Sequence, residues 1–187
     1  ILAQDSVSAQ DTPIPQFAMR VLASAAASAA SWEAYKQCDS RWGTQELGTC
    51  SSNTICSAGC AMTSVSMILK SKGVDVTPGT LDHWLTTHGG YASGCLIVWA
   101  SVDAYGATSF NGFGEISEAN ICAEIKKGSG LVANVRNGGH WVLLTGCSGG
   151  GVFTVNDPGF SQATYSLGDI SNLAVYHMKA SNSSIVV

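Results

Sequence analysis

The sequence predicts a single α+β domain, in which helices come first and an antiparallel sheet follows. In the first half of the chain, apolar residues recur at the three-to-four spacing of helices. In the second half, short runs of β-branched and aromatic residues are bounded by glycine, as in strands. Helices followed by strands are typical of the α+β class, and 187 residues with 45% hydrophobic side chains suffice for one packed core.

Four helices and four strands are predicted along the chain. The clearest helix is 60–72, where apolar residues from Ala61 to Leu69 share one face and Gly73 ends the run. Residues 31–48, which include a short helical turn, and residues 49–58 are predicted to be loops. Further helices are predicted at 77–90, 96–106 and 119–130, and strands at 131–135, 140–146, 151–157 and 173–178.

Residues 1–31 are predicted to form an N-terminal arm, and residues 32–187 the domain. The Ala/Ser-rich stretch 21–32 has the small residues of a signal cleavage region, but it follows a polar, acidic segment instead of a basic start. We interpret the arm as a strap over the domain, with a retained pro-segment as the alternative and self-assembly through neighbour contacts as a further role. No stretch of the sequence approaches the roughly 18 apolar residues of a membrane span.

The charge and the cysteines narrow the class of protein. A net charge of −4 without a Lys/Arg cluster disfavours nucleic acid as a partner. Seven cysteines in so short a chain favour a secreted or luminal protein, and the sequon at Asn182 agrees with export and glycosylation. The cysteines form no CxxC pair, so structural zinc is a minor alternative, and neither a metal nor a cofactor is predicted.

Seven cysteines leave one thiol over if the other six form disulfides, and any six allow fifteen pairings. Cys60 stands out because it follows Gly59 at the first turn of the predicted helix, where free N–H groups and the helix dipole stabilise a thiolate. It is therefore a candidate nucleophile. A disulfide from Cys60 to Cys56 or Cys50 fits the sequence equally well. The seven are Cys38, Cys50, Cys56, Cys60, Cys95, Cys122 and Cys147.

His140 is the predicted base, because it begins a strand whose hairpin partner ends at Asp157. If residues 147–150 form the loop, facing residues have numbers that sum to 297, and His140 lies opposite Asp157. A carboxylate in that place would orient the imidazole. A slip of one residue would offer Asn156 instead. Either residue alone has a simpler explanation, as a strand histidine or a turn former, but the pair together with a helix-start cysteine favours catalysis.

The remaining candidates are less specific. Attack on an amide needs donors for the oxyanion, and we expect the backbone N–H of Cys60 and the side chain of Gln37 to supply them. Trp42 and Trp141 lie near these motifs and are expected either to line a cleft or to pack in the core. The other three histidines are expected to pack or to face solvent: His83, His88 and His177.

Taken in order, Gln37, Gly59-Cys60, His140-Trp141-Val142 and Asp157-Pro158 resemble the bacteriocin-leader-peptidase-like family of papain-fold cysteine peptidases. The resemblance covers about residues 35–178. It implies a papain-like fold with a central helix that starts at the nucleophile, a Cys-His-Asp triad, a glutamine at the oxyanion hole, and a peptide or protein substrate. Cleavage after a double-glycine leader belongs to members with a transporter portion and is not carried over to this sequence.

Two other classes of function remain open from the sequence. Cys60 in a disulfide would indicate a catalytically silent papain-like module that serves binding or extracellular assembly. Acyl transfer to an amine, as in transglutaminase-like enzymes, would use the same catalytic residues as hydrolysis.

Overall fold

Residues 31–180 are described by a computed structural model, in which helices are followed by a sheet. The predicted arm, apart from Ser31, and the sequon at Asn182 lie outside the described residues. The α-helices are α1 (Ile55–Ala58), α2 (Cys60–Ser71), α3 (Pro78–Thr87) and α4 (Glu118–Lys127), and Trp99–Tyr105 and Leu167–Asp169 form 3-10 helices. None of the helices in this range has the length and the apolar character that crossing a membrane requires.

The main sheet has six antiparallel strands in the order β5-β10-β6-β7-β8-β9. Two small hairpins, β1 with β2 and β3 with β4, lie outside it. The small strands are β1 (Glu46–Leu47), β2 (Cys50–Thr54), β3 (Tyr91–Ala92) and β4 (Leu96–Ile97). The sheet strands are β5 (Thr108–Phe113), β6 (Gly130–Val135), β7 (His140–Gly149), β8 (Val152–Asn156), β9 (Thr164–Ser166) and β10 (Asn172–Met178).

The two faces of the sheet build two apolar clusters. On one face, Val132 and Leu143 pack with the side chains of α2 and α3. On the other face, Leu131 and Leu144 pack with Ile121 of α4. Successive residues of a strand point to opposite faces, so β6 is buried throughout its length. Helix α2 is likewise buried from Met62 to Leu69, which fixes the helix that begins at Cys60 within the core.

The fold class is as predicted: the chain is α+β, with helices ahead of an antiparallel sheet. The helices at 60–72, 77–90 and 119–130 are confirmed with small shifts of their ends, and so are all four predicted strands, at 131–135, 140–146, 151–157 and 173–178. In these segments the apolar residues recur at regular spacing and coincide with the buried positions, so the sequence pattern predicts them correctly.

The prediction of a helix at 96–106 is wrong in its first part. Leu96 and Ile97 form strand β4, which pairs with β3, and only Trp99–Tyr105 is helical, as a 3-10 helix. The N–H of Val98 donates to the carbonyl of Gly90, which keeps the chain extended where the helix was expected. A tertiary pairing therefore overrides the apolar periodicity of this segment.

The predicted loop at 49–58 is also wrong. Strand β2 occupies its first half, and a capping box between Thr54 and Ser57 starts helix α1 in its second half. Strands β5 and β9 were not predicted. Polar residues alternate with apolar ones only weakly in these short elements, so their strand character depends on the neighbours with which they pair.

The predicted register of the β7–β8 hairpin is wrong by two residues. Leu143 faces Asn156, so facing numbers sum to 299 there instead of 297, and the chain turns at Gly150 and Gly151. Two irregularities in β7 allow this longer strand. His140 pairs with Val135 of β6, and residue 157 follows the end of β8.

Three disulfides answer the question of cysteine pairing. They join Cys38 to Cys56, Cys50 to Cys95, and Cys122 to Cys147. Cys60 is the free cysteine among the seven, all of which lie within residues 31–180.

Candidate active site

Cys60 begins helix α2 directly after a sharp turn out of α1. A Cβ atom at position 59 would lie 2.5 Å from the carbonyl oxygen of Ile55, so only glycine fits between the two helices. The N–H groups of the first turn of a helix have no acceptor within it, so those of α2 are free to donate beside the residue at which the helix begins. Cys60 is partly exposed and lines a cleft.

His140 is positioned by the tight loop 136–139 that precedes β7. Arg136, Asn137 and Gly138 all have positive φ, and the asparagine and glycine adopt it most readily. The Asn134 side chain donates to the carbonyl of His140 at 3.0 Å, and the Ser171 hydroxyl donates to the Asn134 amide oxygen at 2.7 Å. These buried bonds fix the backbone that carries the imidazole.

A hydrogen bond joins the helix of the cysteine to the strand of the histidine. The Ser64 hydroxyl in α2 donates to the carbonyl of Trp141 in β7 at 3.3 Å. Because Ser64 lies one turn beyond Cys60 and Trp141 follows His140, this contact sets the two side chains at a fixed separation.

Asp157 is buried and accepts four hydrogen bonds. His140 Nε2 lies 2.7 Å from its Oδ1, which also accepts the backbone N–H groups of Gly159 and Phe160 at 2.9 Å each. The Tyr165 hydroxyl donates to Oδ2 at 2.9 Å. The contact that the hairpin argument predicted is therefore present, although a turn after β8 supplies it instead of a facing strand pair.

The pKa values of the histidine and the aspartate move apart. Burial lowers the pKa of His140, but hydrogen bonds with Asp157 and Cys60, and attraction to their charges, outweigh burial and raise it to about 9. For Asp157, burial raises the pKa, yet the bonds from His140, Phe160 and Gly159 lower it overall. A protonated imidazole between the carboxylate and the sulfur of Cys60 is therefore stable at neutral pH.

Gln37 is brought to the cleft by contacts with both halves of the molecule. Its backbone N–H donates to the Pro158 carbonyl at 2.9 Å, and its side-chain Nε2 donates to the Cys56 carbonyl at 2.6 Å. The Cys38–Cys56 disulfide closes the same short loop. The side-chain oxygen is buried with no partner within residues 31–180, so the Cys56 carbonyl is the polar anchor of this amide there.

Cys60, His140 and Gln37 line one cleft of about 740 Å³. Trp141 also lines it, whereas Trp42 is buried in the core and donates its indole N–H to the Lys36 carbonyl. Asp157 lies behind the imidazole. The rest of the lining is Cys38, Cys56, Ser57, Ala58, Ala61, Cys95, Leu96, Ile97, Trp99, Gly138, Gly139, Gly159 and Phe160.

The other histidines lie outside the cleft, as expected. His88 stacks on Trp84 with ring centroids 4.4 Å apart, His177 lies 3.5 Å from Glu124, and His83 is exposed on α3. Over the part of the chain that is described, no three His, Cys, Asp or Glu side chains are grouped so that they could hold a metal ion.

Four residues near the site were missed at the sequence level. Gly159 leaves room for the imidazole, since a Cβ there would lie 2.9 Å from His140 Cε1. Phe160 packs edge-on against the imidazole at 5.0 Å. Tyr165 holds the carboxylate, and Lys36 donates to the carbonyls of residues 157 and 160. The glycine after Asp-Pro was a usable signal for the first of these, but nothing in the sequence singles out Tyr165 or Lys36.

The arrangement combines a free thiol, an imidazole held by a carboxylate, and amide N–H groups around one cleft, which are the groups that acyl chemistry through a thioester requires. No curated protein and no solved structure matches the chain. Residues 33–179 match the model of the family described as "Peptidase_C39 like family". Because this match spans most of the chain, the protein belongs to the Peptidase_C39 like family, a family of papain-like fold related to cysteine peptidases.

Proposed function

We propose that the protein is a secreted cysteine peptidase that hydrolyses peptide bonds, with Cys60 as nucleophile, His140 as acid and base, Asp157 as its orienting carboxylate and Gln37 at the oxyanion hole. One observation carries the proposal: the free thiol of Cys60 shares a cleft with a buried imidazole whose Nε2 is bonded to Asp157 at 2.7 Å. This leaves Nδ1 of His140 to exchange a proton with the thiol.

The first half of the reaction forms a thioester. With the proton of the thiol held on His140 Nδ1, the sulfur attacks the carbonyl carbon of the substrate. The second N–H of the Gln37 amide and the backbone N–H of Cys60 donate to the oxygen that becomes negative. The carbon–nitrogen bond then breaks as Nδ1–H protonates the leaving amine.

The second half releases the acyl group. Water gives a proton to His140 as its oxygen attacks the thioester, and the carbon–sulfur bond breaks to return the thiolate and a carboxylic acid. Asp157 keeps Nε2 protonated throughout, so the ring always presents Nδ1 to the sulfur.

Export is supported by the disulfides. Three of them among 187 residues would be reduced in most cytosols, whereas they persist in a secreted or luminal protein. They also leave Cys60 as a thiol, which favours an enzyme over a silent module in which that cysteine is bonded.

The proposal is tested by labelling the native, unreduced protein with iodoacetamide near neutral pH and mapping the modified peptide. Rapid modification of Cys60, and its slowing in His140→Ala, is expected, followed by cleavage of an unfolded protein that Cys60→Ala does not cleave. A Cys60 that resists alkylation would contradict the proposal. Repeating the cleavage with an added primary amine separates hydrolysis from acyl transfer, because transfer would yield the amide instead of the free carboxylate.

A further inference from the structure

The lining of the cleft is neutral apart from the two groups that react. Of the described residues that line it, Cys60 and His140 are the titratable ones, since its other cysteines are in disulfides. Away from this reacting pair, a charged side chain held in the cleft would lose hydration without meeting a lining side chain of opposite charge. The large apolar side chains of the lining are Leu96, Ile97, Trp99, Trp141 and Phe160.

The large apolar side chains that residues 31–180 expose gather at the same place. Leu96 is 65% exposed and Phe160 is 45% exposed, and both line the cleft. Val98 is adjacent to two lining residues, and Phe113 packs edge-on against Trp99 with ring centroids 6.0 Å apart. Exposed large apolar side chains in and beside one cleft mark it as a binding site.

The wall that carries Leu96 is fixed in place. Leu96 lies in strand β4, and the neighbouring Cys95 is bonded to Cys50. On the other strand of this hairpin, the Tyr91 hydroxyl donates to the buried Asp82 carboxylate at 2.6 Å. An apolar side chain held by such ties can select a ligand without being ordered by it first.

We infer that the cleft selects internal polypeptide segments with uncharged, apolar side chains, one of which packs against Leu96 and Trp99. The inference rests on the proposed peptidase function and names its substrate class. An internal bond is flanked by neutral peptide groups, which match the neutral lining, whereas a chain terminus brings a charge into it. Apolar contacts of this size discriminate between side chains by about 10- to 200-fold.

The cleavage sites of the wild-type protein provide the first test. A mixture of unfolded peptides with acetylated N-termini and amidated C-termini is digested briefly, and the sites are read by mass spectrometry. Sites flanked by Leu, Val, Ile, Phe or Ala are expected to be cut at least tenfold faster than sites with Asp, Glu, Lys or Arg at the same positions. Equal cutting of charged and apolar sites, or a requirement for a free terminus, would overturn the inference.

A charge at Leu96 provides the sharper test, because this exposed side chain can be replaced without disturbing the core. Leu96→Lys is expected to cut sites with an acidic residue at one defined position at least tenfold faster than the wild type does, and Leu96→Glu to do the same for basic residues. Ser148→Lys adds the same charge at the far, exposed end of β7 and should keep the wild-type profile. Unchanged profiles in both Leu96 variants would contradict the assignment of this wall.

A binding measurement separates this inference from the proposed function. Cys60→Ala is titrated with a fluorescent, end-blocked apolar peptide and with the same peptide carrying Lys or Glu at its centre. We expect the apolar peptide to bind at least tenfold more tightly than the charged ones. This result would support the substrate class even if the wild-type protein cleaves no peptide. Absence of cleavage together with this result would refute the proposed hydrolysis and leave the substrate class intact. Equal binding of the peptides would overturn the substrate class whether or not the wild type is active.

Discussion

The two sides of the cleft are stabilised by different interactions. We call the side that carries Gln37 and Cys60 the helix side, and the side that carries His140 the sheet side. On the helix side, the elements are short, with two residues in each of β1, β3 and β4, and two disulfides tie them to their neighbours. On the sheet side, His140 extends from a six-stranded ladder, and the carboxylate behind it accepts four hydrogen bonds. The third disulfide, Cys122–Cys147, lies towards the far end of β7 from His140.

The difference reflects how much regular structure each side contains. A ladder of paired strands fixes many backbone groups at once, so a few buried polar bonds complete the sheet side. The segment that carries Gln37 has no such ladder, and its amide has a single polar anchor within residues 31–180. Reducing conditions are therefore expected to disturb the helix side, which carries Gln37. Changes of pH are expected to act on the sheet side, which carries the imidazole of His140.

The largest effect is expected where the two sides meet. Cys60→Ala and His140→Ala should each lower kcat by several orders of magnitude, on the order of 10⁶-fold in a nucleophile and base that act as a unit. The double variant should be no worse than either single one. Cleavage of an unfolded protein substrate measures the rates, and thermal unfolding checks that Cys60→Ala, at a partly exposed position, remains folded. Additive losses in the double variant would show that the two residues do not act together.

The next largest effect is expected from removing the Cys38–Cys56 disulfide, compared with removing Cys122–Cys147. Replacing Cys38 and Cys56 together with serine should lower the free energy of unfolding by about 3 kcal/mol. It should also lower kcat by about 10²- to 10³-fold, as Gln37→Ala would, because the amide loses its position at the proposed oxyanion hole.

The matched control is the replacement of Cys122 and Cys147 with serine. The Cys122–Cys147 disulfide closes a loop of similar length, so its removal should lower stability by a similar amount, about 3 kcal/mol, while kcat stays within a few fold of the wild type. If both pairs lower kcat equally, the disulfides act through global stability, and the proposed link between Cys38–Cys56 and the oxyanion side is wrong.

The sheet side and the central helix α2 were the easier parts to predict from the sequence. The long apolar periods around Cys60, and the β-branched runs on either side of the His140 loop, indicate buried elements whatever their neighbours are. The partnership of His140 with Asp157 was predicted through a register that proved wrong by two residues. It survives because residue 157 lies in a turn just past β8, where an Asx-type turn, and not strand pairing, aims its carboxylate.

The helix side was harder for a physical reason. Short polar strands such as β2 have no periodicity of their own, and the pairing of six cysteines does not follow from their spacing. Gln37 was chosen as a polar residue able to reach the thiol, but what holds it is the Cys38–Cys56 disulfide and the Cys56 carbonyl. Residues that act on the site through another residue, such as Tyr165, leave no signal in a single sequence.

A smaller effect is expected from pH. Asp157→Asn keeps the shape of the side chain but removes the carboxylate whose hydrogen bond and charge, together with those of Cys60, raise the pKa of His140 to about 9. Above that pH the wild type loses the proton that the leaving amine needs, so the alkaline limb of kcat/KM should lie near 9 and move to lower pH in the variant. A loss of about 10- to 10²-fold in kcat/KM at neutral pH should accompany the shift.

The free energy of unfolding should also depend on pH through His140, and it should fall as the pH rises. Because the folded pKa of His140 lies above its ordinary value of 6.5, its contribution to the free energy of unfolding is fully present below 6.5 and is lost as pH rises to about 9. Chemical denaturation at several pH values should show this decline in the wild type and a flatter profile in Asp157→Asn. The same decline in both proteins would mean that another group is responsible.

The smallest effects compare two tyrosine–aspartate pairs, one on each side of the cleft. Tyr165 donates to Asp157 behind the imidazole, and Tyr91 donates to Asp82 beneath the Leu96 wall. Removing either hydroxyl with phenylalanine should lower the free energy of unfolding by about 1 kcal/mol. If the first pair orients a catalytic imidazole and the second fixes the proposed substrate wall, Tyr165→Phe should lower kcat a few fold, whereas Tyr91→Phe should raise KM a few fold and leave kcat unchanged. Steady-state kinetics on one apolar, end-blocked peptide measures kcat and KM for both variants. A change of the same parameter in both would show that the two sides of the cleft do not have separate roles.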